Sequence, residues 1–322
     1  MLLSTLRAQD AAVETIRRAL RTGRVHHAYL FDGPDGVGKE LGAFALAQAL
    51  VCSSSTPENL ACGTCSACVR AVPDPKTTRP KHPDIVVLER GLYDPQSIGR
   101  RTPETQDLSI DQVRTLVLSH ASYAPHEGRA RVFIVRRAEE LSIAAANALL
   151  KTLEEPIQKT HFVLMTSQPD SLLPTILSRV QRVRFAALPD ALVLELLAAR
   201  GVSAEVAERA APLSSGSMDT AISLCDEDAT SAREAFVARA LEAIDAPSLS
   251  ITLEIGEQGK RDKAALRVHL LALAARIARM AKSDAAERWA ARYAHILQAL
   301  RDLDANASPQ LVLETMFVRM RV

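Results

Sequence analysis

Ala28-Tyr-Leu-Phe-Asp32-Gly33-Pro-Asp-Gly36-Val-Gly38-Lys39-Glu40 decides how the rest of this chain is read. The short apolar run ending at Asp32 reads as a buried strand, the glycine-rich segment as a tight turn, and the apolar run on to Leu50 as a helix. Gly33, Gly36, Gly38 and Lys39 follow the Gly-x-x-x-x-Gly-Lys spacing, in which backbone N–H groups wrap a phosphate chain. The helix N-terminus adds partial positive charge and the lysine a full one. The next position departs from the pattern. A hydroxyl residue there would hold Mg²⁺; this chain carries Glu40, an anion beside the place of the phosphates. The loop keeps the shape of a nucleotide site and lacks its metal ligand.

Around this stretch, 322 residues imply two or three domains, and an apolar content of 48% is ample for their cores. Aromatic residues make up only 4%, and the dominance of Ala and Leu favours helices. A net charge of +1 supplies no global field for nucleic acid, so any such contact needs a local patch. The first residues lack the apolar core of a secretory signal, and no apolar run approaches the roughly 18 residues of a membrane span. The expectation is a cytoplasmic protein with no membrane partner, in a compartment where cysteines are seldom disulfides.

Moving outward, Leu6–Arg21 has helical apolar spacing and ends near Gly23. His26-His27 precedes the strand; with no acidic or cysteine neighbour, packing or hydrogen bonding is favoured over a metal site. After the loop helix come Cys52, Cys62, Cys65 and Cys68, a Cys-x9-Cys-x2-Cys-x2-Cys spacing. Tight Cys-x2-Cys steps aim thiolates at one point, and a fourth from the preceding helix end completes a tetrahedron. Structural zinc is the leading reading, with a disulfide pair, a redox pair or an iron–sulfur site as alternatives. Cys225 lies apart, in a helical run, and reads as a small core residue.

Residues 72–108 read as irregular, apart from a buried-type strand over His82–Leu88. Ser109 caps a helix running through Leu118, and Arg131–Val135 is the next strand. In a nucleotide hydrolase that strand would end in acidic metal ligands. Here it is followed by Arg136-Arg137, read either as solvated arginines or as a subunit or DNA contact. Ser142 caps a helix over Ile143–Glu155, stopped by Pro156; His161–Thr166 is a strand; Asp170 caps a helix over Ser171–Val180; and Arg182–Phe185 is the last strand. Alternating strands and helices give an α/β domain with a parallel five-stranded sheet covered on both faces. Beyond Leu188-Pro189 come three short helical runs, Val193–Arg200, Ala204–Ala211 and Ser217–Leu224, and from about Asp228 everything reads helical, with breaks at Pro247, Gly256, Ser283 and Pro309.

His27-Ala-Tyr-Leu-Phe31, Gly36-Val-Gly-Lys39, the four cysteines, His82-Pro-Asp84, Asn147-Ala-Leu-Leu-Lys151-Thr-Leu-Glu-Glu-Pro156, Leu173-Pro-Thr-Ile-Leu-Ser178-Arg179 and Asn306-Ala-Ser-Pro309 together resemble the delta-prime family of bacterial DNA polymerase III clamp-loader subunits, relatives of gamma/tau in the AAA+ superfamily. The resemblance covers nearly the whole chain. It implies a RecA-like AAA+ domain over residues 1–187 with a zinc module at 52–68, a small helical lid over 188–227, and an all-α collar over 228–322. It further implies a hetero-pentamer with gamma/tau and delta that opens a sliding clamp and loads it onto primed DNA. In such a complex this chain is a non-hydrolysing member, and whether its degenerate loop holds a nucleotide stays open.

Several departures fit the non-hydrolysing role: Glu40, Arg136-Arg137, and Thr220 in a stretch where active relatives place an arginine that senses the γ-phosphate. Ser167 keeps the position of a polar sensor. Ser178-Arg179 matches the motif of an arginine finger acting in trans, except that Val180 stands where the family has cysteine. A finger of that kind is worth on the order of 10³–10⁵ in rate to the neighbour. Lys151 and Thr152 lie on a helix that faces the DNA in relatives, with solvated side chains an equal alternative. The competing functions are an active gamma/tau-like ATPase and a zinc-dependent nucleic-acid-binding protein. No constellation of metal-binding carboxylates suited to polymerase chemistry is visible.

Overall fold

The computed structural model describes the whole chain except residues 1–2, 99–106, 122, 128, 156–158, 247, 260–262, 282–285, 305–306 and 322, so the expected stops at Pro156, Pro247 and Ser283 lie outside the described residues. The chain divides into two compact units, Met1–Ala187 and Leu188–Val322.

The first unit is built on a parallel five-stranded sheet of β1 (Ala28–Asp32), β2 (Ile85–Leu88), β3 (Arg131–Val135), β4 (Thr160–Thr166) and β5 (Gln181–Arg184), in the spatial order β2-β3-β4-β1-β5. Every residue of β1 and β3 is buried. Because successive side chains point to opposite faces, both faces at the centre of the sheet are covered. Phe133 and Phe162 stack at 5.1 Å between centroids, beside Leu30, Leu149 and Leu164 in the main core. The edge strand β5 exposes Gln181, Arg182 and Arg184, and charged residues on an edge discourage a foreign strand from pairing with it.

The helices of this unit are α1 (Asp10–Thr22), α2 (Lys39–Val51), α3 (Ser66–Ala71), α4 (Ile110–Val113), α5 (Ser119–Ala121), α6 (Ile143–Glu154) and α7 (Pro174–Leu177). Gly23, in the left-handed conformation, ends α1. Ser109 and Gln112 form a reciprocal capping box for α4, and a π turn over Arg114–Leu118 continues it into α5. Ser142 caps α6 by accepting from the Ala145 N–H at 3.2 Å.

Two expectations for this unit are corrected. The strand at His82 begins only at Ile85, because Pro83 has no N–H for a ladder. The helix over Ser171–Val180 is not continuous: a 3-10 turn at Pro169–Ser171 is followed by the four-residue α7, and Leu173, not Asp170, is its N-cap. Pro174 is the cause, since proline drives the residue before it out of helical geometry and suits the first helical position.

Among the described residues the regular elements of the second unit are helices: α8 (Asp190–Ala198), α9 (Ala204–Leu213), α10 (Met218–Cys225), α11 (Glu227–Asp245), α12 (Ser250–Gly259), α13 (Lys263–Met280), α14 (Ala286–Asp304) and α15 (Pro309–Met320). Leu270, Leu273, Ile277, Ile296, Leu313 and Phe317 centre its larger core. Gly256 is not a break but lies inside α12, where an added Cβ would stand 3.2–3.3 Å from Glu314 of α15. The glycine is a close-packing contact between two helices.

Candidate functional site

All strands of a parallel sheet point the same way, so the first unit has two unlike ends. The phosphate loop follows β1 at the C-terminal end. Ser178 and Arg179 precede β5 at the N-terminal end, where Tyr29 pairs with Gln181. The height of the sheet, roughly 15–20 Å for a five-residue strand and its approaches, separates them.

At the loop end, Gly33, Gly36 and Gly38 all have positive φ, and Gly38 caps α2. Gly33 is required whatever the loop binds: at φ +152° an added Cβ would meet the Phe185 carbonyl oxygen at 2.2 Å. Lys39 is buried, and its Nζ donates to the carbonyls of Gly33 and of Pro34 (2.7 Å) and lies 3.3 Å from Asp35 Oδ1. The lysine thus folds back onto its own loop. Gln9, which sequence reasoning missed, ties this end together. Its amide donates to the Val37 and Ala186 carbonyls (3.3 and 2.8 Å) and accepts from the Ala186 N–H (2.8 Å).

Arg136 corrects the reading of two solvated arginines. It is only 7% exposed, ion-pairs with Glu40 and Glu89, and donates to the Thr78 carbonyl at 3.0 Å. The two departures from the nucleotide-hydrolase pattern are therefore partners: the acid after the loop lysine and the base at the end of β3 neutralise each other. Arg137 stays largely exposed, 3.6 Å from Glu140. Ser167, just past β4, places its hydroxyl 3.5 Å from Glu139 Oε1.

At the opposite end, Arg179 Nη1 donates to the Thr175 carbonyl (2.8 Å) and Ser178 Oγ (3.0 Å), and Nη2 lies 2.7 Å from Glu154 Oε1. The arginine is one-third exposed and borders an open cleft of about 480 Å³ with His26, His27, Leu153 and Val180. His26 and His27 stack at 4.3 Å, and His26 Nδ1 contacts the Ala28 backbone at 2.7 and 3.1 Å. Burial, then the neighbouring His26, lowers the His27 pKa. Lys151 is exposed and Thr152 half-buried, both in the last turns of α6. Thr220 lies in the first turn of α10, its N–H donating to the Ser217 cap at 3.1 Å.

The four cysteines converge as free thiols, which removes the disulfide reading. Their Sγ atoms lie within 4.8 Å of one another, with 3.7 Å between Cys52 and Cys62 and 3.9 Å between Cys62 and Cys68. Four sulfurs about 2.3 Å from a common tetrahedral centre would stand roughly 3.8 Å apart, so the cluster fits a metal ion of zinc size. Backbone N–H groups of Cys62, Cys65 and Cys68 donate to the sulfurs of Cys52, Cys62 and Cys65 at 3.3–3.4 Å. A side-chain hydrogen bond from Ser53 leads the effects that pull the Cys65 pKa down to about 5, whereas burial pushes the Cys68 thiol up. Metal binding would displace the protons of the remaining thiols, and a cation would offset the charge of the four thiolates so formed.

A salt-bridged network fastens this module to the sheet. Arg70 of α3 forks onto Glu127 (2.6 and 2.8 Å), and Glu127 lies 3.3 Å from the buried His82. Asp84, fully buried, accepts from the N–H groups of His126 (2.5 Å) and Glu127 (2.7 Å) and pairs with Arg131 at 3.1 Å.

The family model described as "DNA polymerase III, delta subunit" matches residues 8–189. DNA polymerase III subunit gamma/tau of Mycobacterium tuberculosis is 36% identical over 59% of this chain and 29% of its own length. Subunit delta' of Bacillus subtilis is 30% identical over 62% of this chain and 54% of its own, and that of Yersinia pestis 39% over 49% and 41%. The chain thus spans about a third to a half of the length of these relatives. Among the described residues no helix is long and apolar enough to cross a membrane. A match over more than half the chain, by relatives of both the delta' and gamma/tau kinds, places it plainly: the chain belongs to the DNA polymerase III delta-subunit family, as a delta'-like relative of the clamp-loader subunits.

Proposed function

We propose that this chain is a clamp-loader subunit that does not hydrolyse ATP and that donates Arg179 to the nucleotide of a neighbouring ATPase subunit. The placement of Arg179 carries the reading. It stands at the opposite end of the sheet from its own phosphate loop, one-third exposed beside a cleft, so a phosphate it meets belongs to another chain. The guanidinium is permanently charged and matches phosphate oxygens with paired donors. Glu40 and Arg136 support the other half. They fill with an ion pair the ground where a hydroxyl and an acid would share Mg²⁺, and phosphoryl transfer depends on such positioned charge.

On this reading the first unit is a RecA-like AAA+ domain, for which the strand order supplies support, and residues 188–227 and 228–322 serve as lid and collar. The four cysteines hold structural zinc, which fixes the fold of residues 52–68. The partners are gamma/tau and delta in a hetero-pentamer in the cytoplasm, acting on a sliding clamp and primed DNA. Lys151 and Thr152 face that DNA and contribute sequence-independent phosphate contacts.

Likeness to gamma/tau at 36% identity favours a second reading, an active ATPase. Turnover by the purified chain separates the two. We expect none above background; turnover abolished by Lys39→Ala establishes the second. In a complex reconstituted with an ATP-hydrolysing partner, Arg179→Ala should leave assembly intact and lower ATPase by at least about 10³. Unchanged ATPase removes the donor role.

A further inference from the structure

We propose that Glu154 is a positioning residue for Arg179: its carboxylate holds the guanidinium at the mouth of the cleft beside a neighbouring polyphosphate and yields it as the transition state forms. The proposal rests on the trans role of Arg179, and its test separates the two.

Three contacts fix the arginine's planar fork. The Thr175 carbonyl and Ser178 Oγ take one terminal nitrogen, and Glu154 Oε1 takes the other at 2.7 Å. Without the carboxylate one terminal nitrogen loses this hold, and a long, rotamer-rich side chain regains freedom. Glu154 is itself well placed. Leu149 and Leu153 are buried to 0% and 1% exposure, so the last turn of α6 is anchored and the carboxylate projects at the rim.

The pair is also built to exchange. Its side chains are 34% and 46% exposed, so it adds little to stability and water can enter. A phosphate offers more charge and more acceptor oxygens than one carboxylate and displaces it from the fork. The cleft of about 480 Å³ on which both residues open gives an incoming phosphate room.

The test is a double-mutant cycle in the complex reconstituted with an ATP-hydrolysing partner, reading kcat and KM for ATP. Glu154→Ala should lower kcat about tenfold, since misplacement of a catalytic group by an ångström costs up to about 10². KM should stay within about twofold, because the interaction belongs to the transition state. Glu154→Gln keeps an acceptor oxygen and should recover most of the loss. Adding Glu154→Ala to Arg179→Ala should cost nothing further. Wild-type kcat in Glu154→Ala, or a further loss in the double variant, overturns the proposal. If Arg179→Ala alone leaves ATPase unchanged, the trans role has failed and this inference with it. An unchanged melting temperature for Glu154→Ala separates positioning from a folding defect.

Discussion

Arg136 shows how one residue changes meaning with its surroundings. At the end of β3 it sits between Glu40 and Glu89, which are about half and a third exposed. Arg136→Ala would leave the two carboxylates facing each other without their cation. Breaking a fully buried pair costs about 3–5 kcal/mol, and the exposure of the carboxylates reduces this to roughly 1–3 kcal/mol. Urea denaturation of the variant measures it, and an unchanged midpoint would mean that the pair does nothing for the fold. The cysteine spacing was legible in the sequence because its chemistry is local, four thiols within a short span. The Glu40–Arg136 pairing was not, because 96 residues separate the partners and no local period links them. Glu154 stayed hidden for a like reason, since its part emerges only when the ends of α6 and α7 meet at the cleft. Gly33 was legible as a loop glycine, but the close approach of the Phe185 carbonyl, which also demands glycine there, was not.

Elements were easier to read where local chemistry and burial agree. The buried strands and the serine caps at Ser109 and Ser142 announce themselves. The interrupted helix before Arg179 and the glycine inside α12 required tertiary packing or a closer weighing of Pro174. The cysteine module is tied to the sheet by two kinds of contact, and each predicts a different failure. Asp84→Ala would strand Arg131 as a buried, unpaired cation and should cost about 3–5 kcal/mol of global stability, read from thermal or chemical melts. A loss below about 1 kcal/mol would show that water or another acceptor replaces the carboxylate. On the proposed reading of bound zinc, removing it with a chelator should act locally. Hydrogen exchange should accelerate across residues 52–68, where the buried cluster is little more than Ala49, Cys52, Ala61 and Cys68, while the sheet stays protected. Collapse of protection in β1, β3 and β4 as well would mean that the module supports the whole unit.

For the molecule as a whole, His27, His82 and His161 set a shared pH limit. Burial is the leading cause that lowers all three below the ordinary histidine value of 6.5. The unfolded chain therefore binds protons at a higher pH than the folded one does. Their contribution to stability is complete above about 6.5 and is lost as pH falls from there through the depressed values. Melts at pH 7.5 and pH 5.5 should differ accordingly, and His161→Gln should flatten the slope; an unchanged slope would assign the effect to other groups. The unlike ends of the sheet carry one more consequence. On the proposed reading, a body with the Glu40–Arg136 pair at one end of its sheet and a donor arginine at the other has polarity, and bodies of this kind join head to tail, not back to back. There this chain can follow no donor usefully, since its own loop turns over no ATP. On that reading it takes a terminus, and a ring that includes it would have a built-in seam whose position follows from Glu40 and Arg136.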